Sequence, residues 1–163
     1  MNVRPLTIYA LVALACAGLD QWVKNLVVAH MELGERIDLI PMLSLYHARN
    51  TGIAFSFLSG ANDTMMVVMT GLVMLFIGWI AWKAEPHQHI ASLGFAFILG
   101  GALGNIVDRA TLGYVVDYVL FYTETWSFAV FNLADAFITI GAAMVVLQEI
   151  VDFRRRPKAG AGT

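Results

Sequence analysis

The chain has 163 residues, of which 59% are hydrophobic and 13% are charged, and its mean hydropathy is +0.71. This composition excludes an ordinary soluble domain and indicates a single polytopic membrane domain. The net charge of −2 gives no electrostatic reason to expect nucleic acid as a partner. The single cysteine, Cys16, excludes an internal disulfide and a zinc site built on cysteines.

Four hydrophobic segments predict transmembrane helices, at about residues 6–29, 64–83, 89–107 and 126–150. The first contains Asp20 and Lys24, and the fourth contains Asn132 and Asp135. The first also resembles a signal peptide ending near Cys16, but its apolar character continues past that residue, which favours an uncleaved helix. We therefore expect an all-α bundle of four transmembrane helices within 1–153 and a basic cytoplasmic tail at 154–163.

The basic residues predict how this bundle is oriented. If the helices alternate in direction, one side of the membrane receives Arg4, Lys83, Arg154, Arg155, Arg156 and Lys158. The positive-inside rule places that side, and with it both termini, in the cytoplasm. Arg36, Arg49 and Arg109 fall on the opposite side, which weakens the bias without reversing it. The connections at 30–63 and 108–125 are then expected to face outward.

These outward connections predict short strands and loops instead of further membrane helix. Pro41 interrupts the first connection, apolar and polar residues alternate after it, and Asn50 and Gly52 supply a turn, so strands are expected within 36–57. The segment 114–122 is rich in valine and tyrosine, which favour strands. We expect a small extracytoplasmic β element, with Asp117 on a strand or loop at the outer mouth of the bundle.

Polar residues of three helices are predicted to lie at a similar depth in the membrane. At a rise of about 1.5 Å per residue, Asp20 lies roughly 21 Å from the cytoplasmic end of its helix. By the same rise, Asp108 lies about 28 Å beyond the start of its helix, and Asp135 lies about 13 Å inward from Trp126. All three depths fall in the outer half of the membrane. This shared depth favours one functional site over several structural pairs.

Asp135 is the most unusual of these residues, because an ionisable side chain in hydrocarbon is costly and needs a partner. Its own helix offers no lysine or arginine before Arg154. We predict that Asp117 is the partner. Two carboxylates held close together cannot both ionise easily, so they share a proton. Such a pair suits an aspartic peptidase, in which the ionised carboxyl takes a proton from water and the protonated one hydrogen-bonds the scissile carbonyl.

Other chemistry receives less support from the sequence. Asp20 and Lys24, at i,i+4 spacing, are explained equally well as a neutralised pair that lets a helix enter the bilayer. The chain contains no His-Glu-x-x-His or Gly-x-Ser-x-Gly motif, and its histidines fall in loops or at helix ends. We therefore expect no metal, no cofactor and no nucleophilic serine or cysteine.

Four sequence blocks follow one another along the chain: Asp20-Gln21-Trp22-Val23-Lys24; Asn50-Thr51-Gly52-Ile53-Ala54-Phe55-Ser56; Gly100-Gly101-Ala102-Leu103-Gly104-Asn105-Ile106-Val107-Asp108-Arg109; and Val116-Asp117 with Phe131-Asn132-Leu133-Ala134-Asp135. Together and in this order they resemble the motifs of the lipoprotein signal peptidase family, also called signal peptidase II. The resemblance extends from about residue 20 to the end of the fourth predicted helix.

This resemblance implies an intramembrane aspartic endopeptidase of the bacterial inner membrane, with its site near the outer, periplasmic face. The implied substrates are diacylglyceryl-modified prolipoproteins, cleaved just before the lipidated cysteine. We also expect membrane lipid as a partner, and a monomer. Asp117 and Asp135 match the catalytic aspartates of the family. The positions expected to bind substrate or to support these aspartates are Asn50, Gly52, Asn105, Asp108, Arg109, Asn132, Asp20 and Lys24.

Two other functions are weighed against the peptidase. A small proton-coupled transporter would also hold buried carboxylates at matched depth, but the chain shows no internal repeat and its polar residues gather on one side of the membrane. A non-catalytic assembly factor would explain the glycine-rich third helix, but it leaves two unpaired carboxylates without a role. The peptidase is the function that the sequence favours.

Overall fold

A computed structural model describes residues 3–52, 63–85 and 87–155. These residues form four helices, α1 (Val3–His30), α2 (Asp63–Lys83), α3 (His89–Leu112) and α4 (Leu133–Arg155). They also form three strands, β1 (Arg36–Ile40), β2 (Leu43–Asn50) and β3 (Val115–Phe121). Each helix is long and apolar enough to cross a membrane. The predicted fold class, a bundle of four transmembrane helices with a small β element, is confirmed.

Helix α3 lies at the centre of the bundle and packs against α1, α2 and α4. Its glycines allow this close approach. A Cβ at Gly94 would lie 2.6 Å from the backbone oxygen of Gly141 on α4, and a Cβ at Gly100 would lie 2.6 Å from that of Ala13 on α1. A Cβ at Gly104 would overlap the carboxylate of Asp20. Small residues thus bring the helix backbones together where lipid offers no hydrophobic driving force between helices.

The sheet is antiparallel with strand order β1-β2-β3, and β3 is the strand that packs against the bundle. Val116 and Tyr118 of β3 are buried in one hydrophobic cluster with Val27 of α1 and with Met31, which directly follows that helix. In the register of β2 with β3, Ala48 lies opposite Asp117. Strands are therefore confirmed within 36–50 and 115–121, whereas the predicted strand residues 53–57 lie outside the described residues.

The predicted start of the fourth helix at Trp126 is wrong, because α4 begins at Leu133. The residues before it are paired with β3: the N–H of Phe128 donates to the oxygen of Phe121 at 2.8 Å, and the N–H of Phe131 donates to that of Val119 at 3.0 Å. Backbone groups used in this pairing are not available for a helix. The predicted depth of Asp135, about 13 Å inside its helix, is therefore also wrong. Asp135 lies in the first turn of α4.

Two further helix ends differ from the prediction. Helix α3 continues to Leu112, so Asp108 and Arg109 belong to it. It ends at Gly113, whose φ of 79° is the left-handed conformation that glycine adopts without strain. Helix α4 continues through Arg155, so the first basic residues assigned to a tail are helical, and residues 156–163 lie outside the described residues.

The contact of α3 with α4 predicts that a glycine substitution within it destabilises the protein, whereas one at an open position on α2 does not. Gly141→Ala places a methyl group against the backbone oxygen of Gly94, so we expect a loss of about 1–3 kcal/mol in the free energy of unfolding. Gly78→Ala on α2 meets no atom within 4 Å, so we expect no loss and a gain of up to about 1 kcal/mol from helix propensity. Unfolding of the purified variants in detergent measures both, and equal stabilities would contradict the proposed packing.

Candidate active site

Asp135 is held at the start of α4 by reciprocal hydrogen bonds with Asn132. The N–H of Asp135 donates to Oδ1 of Asn132 at 3.0 Å, and the N–H of Asn132 donates to Oδ2 of Asp135 at 3.3 Å. This arrangement is equivalent to a capping box, in which the residue before the helix and the third residue within it satisfy each other's backbone donors. Asn132 is completely buried. The backbone at the helix end therefore fixes the direction of the Asp135 carboxylate.

Asp117 is buried on β3 and accepts hydrogen bonds from two asparagines. The side-chain amide of Asn132 donates to its Oδ1 at 2.6 Å, and that of Asn50 donates to its Oδ2 at 2.9 Å. Asn132 thus contacts both aspartates, using its side-chain nitrogen for Asp117 and its backbone nitrogen and side-chain oxygen for Asp135. One buried residue links the strand carboxylate to the helix carboxylate.

The amide of Asn50 is oriented by the turn that follows β2. Its Oδ1 accepts the N–H of Gly52 at 2.9 Å, which leaves its nitrogen to face Asp117. Gly52 has a φ of 78°, a conformation that favours glycine, and a Cβ there would overlap the methyl group of Met66 on α2. Gly52 therefore supports the site through the turn geometry.

Asn105 on α3 supports Asp135 in the same way. Its side-chain nitrogen donates to Oδ1 of Asp135 at 2.9 Å. Its oxygen accepts hydrogen bonds from Lys24 at 2.9 Å and from the side-chain amide of Asn132 at 3.3 Å. Because a lysine ammonium can only donate, the Asn105 oxygen must face Lys24 and its nitrogen must face Asp135.

Lys24 is the centre of a buried ionic cluster that is linked to Asp135 through Asn105. Its ammonium nitrogen lies 2.8 Å from Oδ2 of Asp20 and 3.0 Å from Oδ2 of Asp108, and the Lys24 side chain is 3% exposed. Asp20 also accepts the N–H of Ala134 in α4 at 2.9 Å, and Asp108 accepts the N–H of Val116 in β3 at 3.0 Å. Asp20 and Lys24 are therefore more than a neutralised pair within one helix, since the cluster also fixes the backbone beside each aspartate.

Burial raises the pKa of Asp117 to about 6, and the nearby charge of Asp135 acts in the same direction. The hydrogen bonds from Asn50 and Asn132 oppose this shift but do not cancel it. Asp117 therefore holds a proton at a higher pH than an ordinary aspartate. A protonated carboxyl can donate a hydrogen bond, which an ionised one cannot do.

The structure brings most of the predicted site residues into one hydrogen-bonded network, which comprises Asp117, Asp135, Asn50, Asn105, Asp108, Asn132, Asp20 and Lys24. Gly52 joins it through its backbone. Arg109 is half-buried next to Asp108, and its side chain forms no hydrogen bond or ion pair with the other described residues. The side chains of this network, which come from α1, β2, β3, α3 and the start of α4, are thus in direct contact with one another.

Two residues of this region were missed in the sequence. Gln21 donates to Oδ1 of Asp108 at 2.6 Å and to the backbone oxygen of Gly104 at 3.0 Å. Tyr118 accepts the N–H of Leu133 at 3.1 Å. Each directly follows an aspartate in the chain, but that position alone does not distinguish a bonded side chain from a packed one. Within 3–52, 63–85 and 87–155, no group of histidine, cysteine or acidic residues is arranged to hold a metal ion.

The fold and the site define a polytopic membrane protein in which a buried aspartate, Asp117, and a partly buried one, Asp135, are joined by an asparagine network. Residues 12–151 match the model of the family described as signal peptidase (SPase) II. This chain belongs to the signal peptidase II family and is accordingly a membrane peptidase.

Relatives agree with this assignment. A lipoprotein signal peptidase of Mesorhizobium japonicum is 51% identical over 149 residues, which cover 91% of this chain and 89% of the relative. One of Brucella ovis is 50% identical over 137 residues, which cover 84% of this chain and 86% of the relative. A solved bacterial membrane enzyme matches with a TM-score of 0.79 at 25% identity, over 96% of this chain and 95% of that one. A second matches with a TM-score of 0.78 at 27% identity, over 93% and 95%.

The ionic cluster predicts that Lys24 is required for stability. Lys24→Met leaves Asp20 and Asp108 buried without a cation, so we expect a loss of about 3–5 kcal/mol in the free energy of unfolding. Lys83→Met is the matched control, because Lys83 is exposed at the end of α2 over the ring of Trp79. Detergent-solubilised variants are compared by thermal unfolding. A similar loss in both would contradict a special role for the buried lysine.

Proposed function

We propose that this chain is an intramembrane aspartic endopeptidase that removes signal peptides from diacylglyceryl-modified prolipoproteins by cleaving just before the lipidated cysteine. Asp117 and Asp135 are its catalytic pair. The observation that carries this proposal is the contact of one buried residue, Asn132, with both carboxylates. Membership of the signal peptidase II family supports the substrate class.

In the proposed reaction the two carboxyls have different roles. The raised pKa of Asp117 supports giving it the shared proton, with which it hydrogen-bonds the scissile carbonyl oxygen. Ionised Asp135 takes a proton from a water molecule, whose oxygen attacks the carbonyl carbon. In the tetrahedral intermediate the Asp117 proton lies on the former carbonyl oxygen. When the carbon–nitrogen bond breaks, the leaving nitrogen receives the proton held by Asp135, and the hydroxyl returns its proton to Asp117.

The position of the site fits a lipid-anchored substrate. Helices α1 and α3 end, and α4 begins, at the end of the bundle that carries the sheet, and Asp117 and Asp135 lie at that end. A diacylglyceryl group keeps the substrate cysteine at one leaflet of the bilayer. A site near the end of the bundle meets the scissile bond without lifting lipid from the membrane.

Two further residues are proposed to contact the substrate. The Arg109 side chain has no hydrogen bond or ion pair with the other described residues, so its donors are available for substrate carbonyl groups. Asn50 lies at the end of β2 beside Asp117, which supports the proposal that the turn after this strand cradles the lipoprotein segment. We further propose that the enzyme acts as a monomer among membrane lipids.

Substitution of either aspartate tests the catalytic pair. Asp117→Asn and Asp135→Asn each replace one of the two carboxyls that share a proton with an amide of the same shape. We expect cleavage of a diacylglyceryl-modified prolipoprotein to fall by at least about 10²–10⁴-fold. Purified variants in detergent are assayed by the mobility shift of the product, after thermal unfolding shows that each folds.

Asp38→Asn is the control for this assay, because Asp38 is an exposed aspartate on β1 that pairs with Arg36. It should cleave like wild type. Retained cleavage in either variant of the pair removes that aspartate from catalysis. A folded wild type that cleaves nothing would reopen the transporter alternative.

We also propose that both termini are cytoplasmic and that the sheet faces the periplasm. The basic residues Lys83, Arg154 and Arg155 lie at the opposite end of the bundle from the sheet and support this orientation. A reporter that is active only in the cytoplasm should be active when fused to the C-terminus and inactive when inserted after Pro41. The reverse pattern would invert the proposed orientation.

A further inference from the structure

The separation of the two aspartates depends on how β3 is joined to α4, because Asp117 lies on the strand and Asp135 lies in the first turn of the helix. Backbone pairing makes one connection. The N–H groups of Tyr118 and Val119 donate to the oxygen of Phe131 at 3.0 and 2.8 Å. These bonds hold the residue before Asn132, but they do not reach the helix itself.

The side chain of Tyr118 makes a second connection, which does reach the helix. Its phenol oxygen accepts the N–H of Leu133, the first residue of α4, at 3.1 Å. Tyr118 is only 5% exposed and belongs to the hydrophobic cluster formed with Val27 of α1 and with Met31 just after that helix. A ring held by this packing has little freedom to move its hydroxyl group. The phenol oxygen is therefore a fixed acceptor for the first turn of α4.

The first three N–H groups of α4 all have acceptors outside the regular helix pattern. Leu133 donates to Tyr118, Ala134 donates to Asp20, and Asp135 donates to Asn132. Asp20 belongs to α1, and Asn132 directly precedes α4. Among these three acceptors, Tyr118 is the one from the strand that carries Asp117. It therefore connects the elements of the two aspartates directly.

The Tyr118 phenol remains a neutral hydrogen-bond acceptor across the pH range in which such an enzyme works. Burial raises the pKa of Tyr118 to about 12, and the charges of Asp20, Asp117 and Asp135 also disfavour the phenolate. The hydrogen bond from Leu133 has the opposite effect but does not offset burial. Tyr118 thus stays neutral while the carboxyls titrate.

We propose that Tyr118 is a positioning residue that sets the separation between Asp117 and Asp135 by tying the first turn of α4 to β3. This inference rests on the proposed function, since it assumes that these aspartates act as a catalytic pair. Tyr118 acts through their geometry and does not itself contact the substrate. Its loss should change how strongly the two carboxyls interact, which a purely structural residue would not do.

Tyr118→Phe tests the proposal because it removes the hydroxyl and keeps the ring. We expect kcat for a lipidated prolipoprotein to fall by about tenfold with KM unchanged, which corresponds to the loss of one hydrogen bond. The pH profile of kcat/KM should also narrow. Carboxyls that are less tightly held interact less, so the pH range in which the pair carries one proton becomes smaller.

Tyr122→Phe is the matched control. Tyr122 follows the end of β3, its hydroxyl lies 3.4 Å from the exposed Asp38, and it takes no part in the aspartate network. Its kcat and pH profile should equal those of wild type. Thermal unfolding of both variants separates a change in geometry from a change in the folded fraction.

Leu133→Pro breaks the same hydrogen bond from the other side. It removes the N–H that Tyr118 accepts, at the first helical position, where proline is well tolerated. If both variants act through this bond, the double variant should lose less activity than the product of the two single losses. Multiplicative losses would overturn the proposal, because they would show that the two changes act independently.

Two outcomes for the single variants overturn the proposal in different ways. Unchanged kcat and an unchanged pH profile in Tyr118→Phe, with Asp117→Asn and Asp135→Asn inactive, reject the positioning role and leave the catalytic pair intact. Cleavage by a folded Asp117→Asn or Asp135→Asn rejects the pair itself, and the positioning role with it. A narrower pH profile of kcat/KM in Tyr118→Phe, with the profile of Tyr122→Phe unchanged, supports the proposal.

Discussion

The buried charge of Lys24 is the constraint on which the rest of the site depends. An ammonium group inside a membrane bundle is costly unless acceptors surround it. Lys24 has three: Asp20, Asp108 and the side-chain oxygen of Asn105. Two of these contacts are ion pairs with carboxylates, at 2.8 and 3.0 Å, and the third is a hydrogen bond to the amide oxygen at 2.9 Å. Each of these three residues also forms a second hydrogen bond. Asp20 accepts a backbone N–H of α4, Asp108 accepts a backbone N–H of β3, and Asn105 donates to the carboxylate of Asp135.

Asparagine is the residue that connects this cluster to the two aspartates. An amide side chain has a donor end and an acceptor end, so a partner that fixes one end also fixes the other. Gly52 sets the direction of Asn50, Lys24 sets that of Asn105, and the N–H of Asp135 sets that of Asn132. All three then present their nitrogens to a carboxylate. The aspartates are held by neutral donors, which leaves one of them free to keep a proton.

The fold supplies what this network cannot supply by itself, which is a fixed relation between a strand and a helix. The glycines of α3 let α1 and α4 approach closely enough for Asp20 to reach the first turn of α4. Packing of β3 against α1 places Asp117 beside that turn. Helix packing by small residues and polar contacts at the helix ends therefore act together.

The sequence by itself determined the membrane class, the number and approximate positions of the four helices, and most of the polar residues that the structure joins in one network. Hydropathy is a local sum, and ionisable residues in apolar segments stand out without any structure. The start of α4 was misplaced because residues 126–131 are as apolar as a helix, although they pair with β3. Only the tertiary structure decided this start, the contact of Asp108 with Lys24, and the contact of Tyr118 with Leu133. Each of these features depends on which residue, distant in sequence, accepts a hydrogen bond from a given backbone or side-chain donor. Local sequence patterns do not predict that partner.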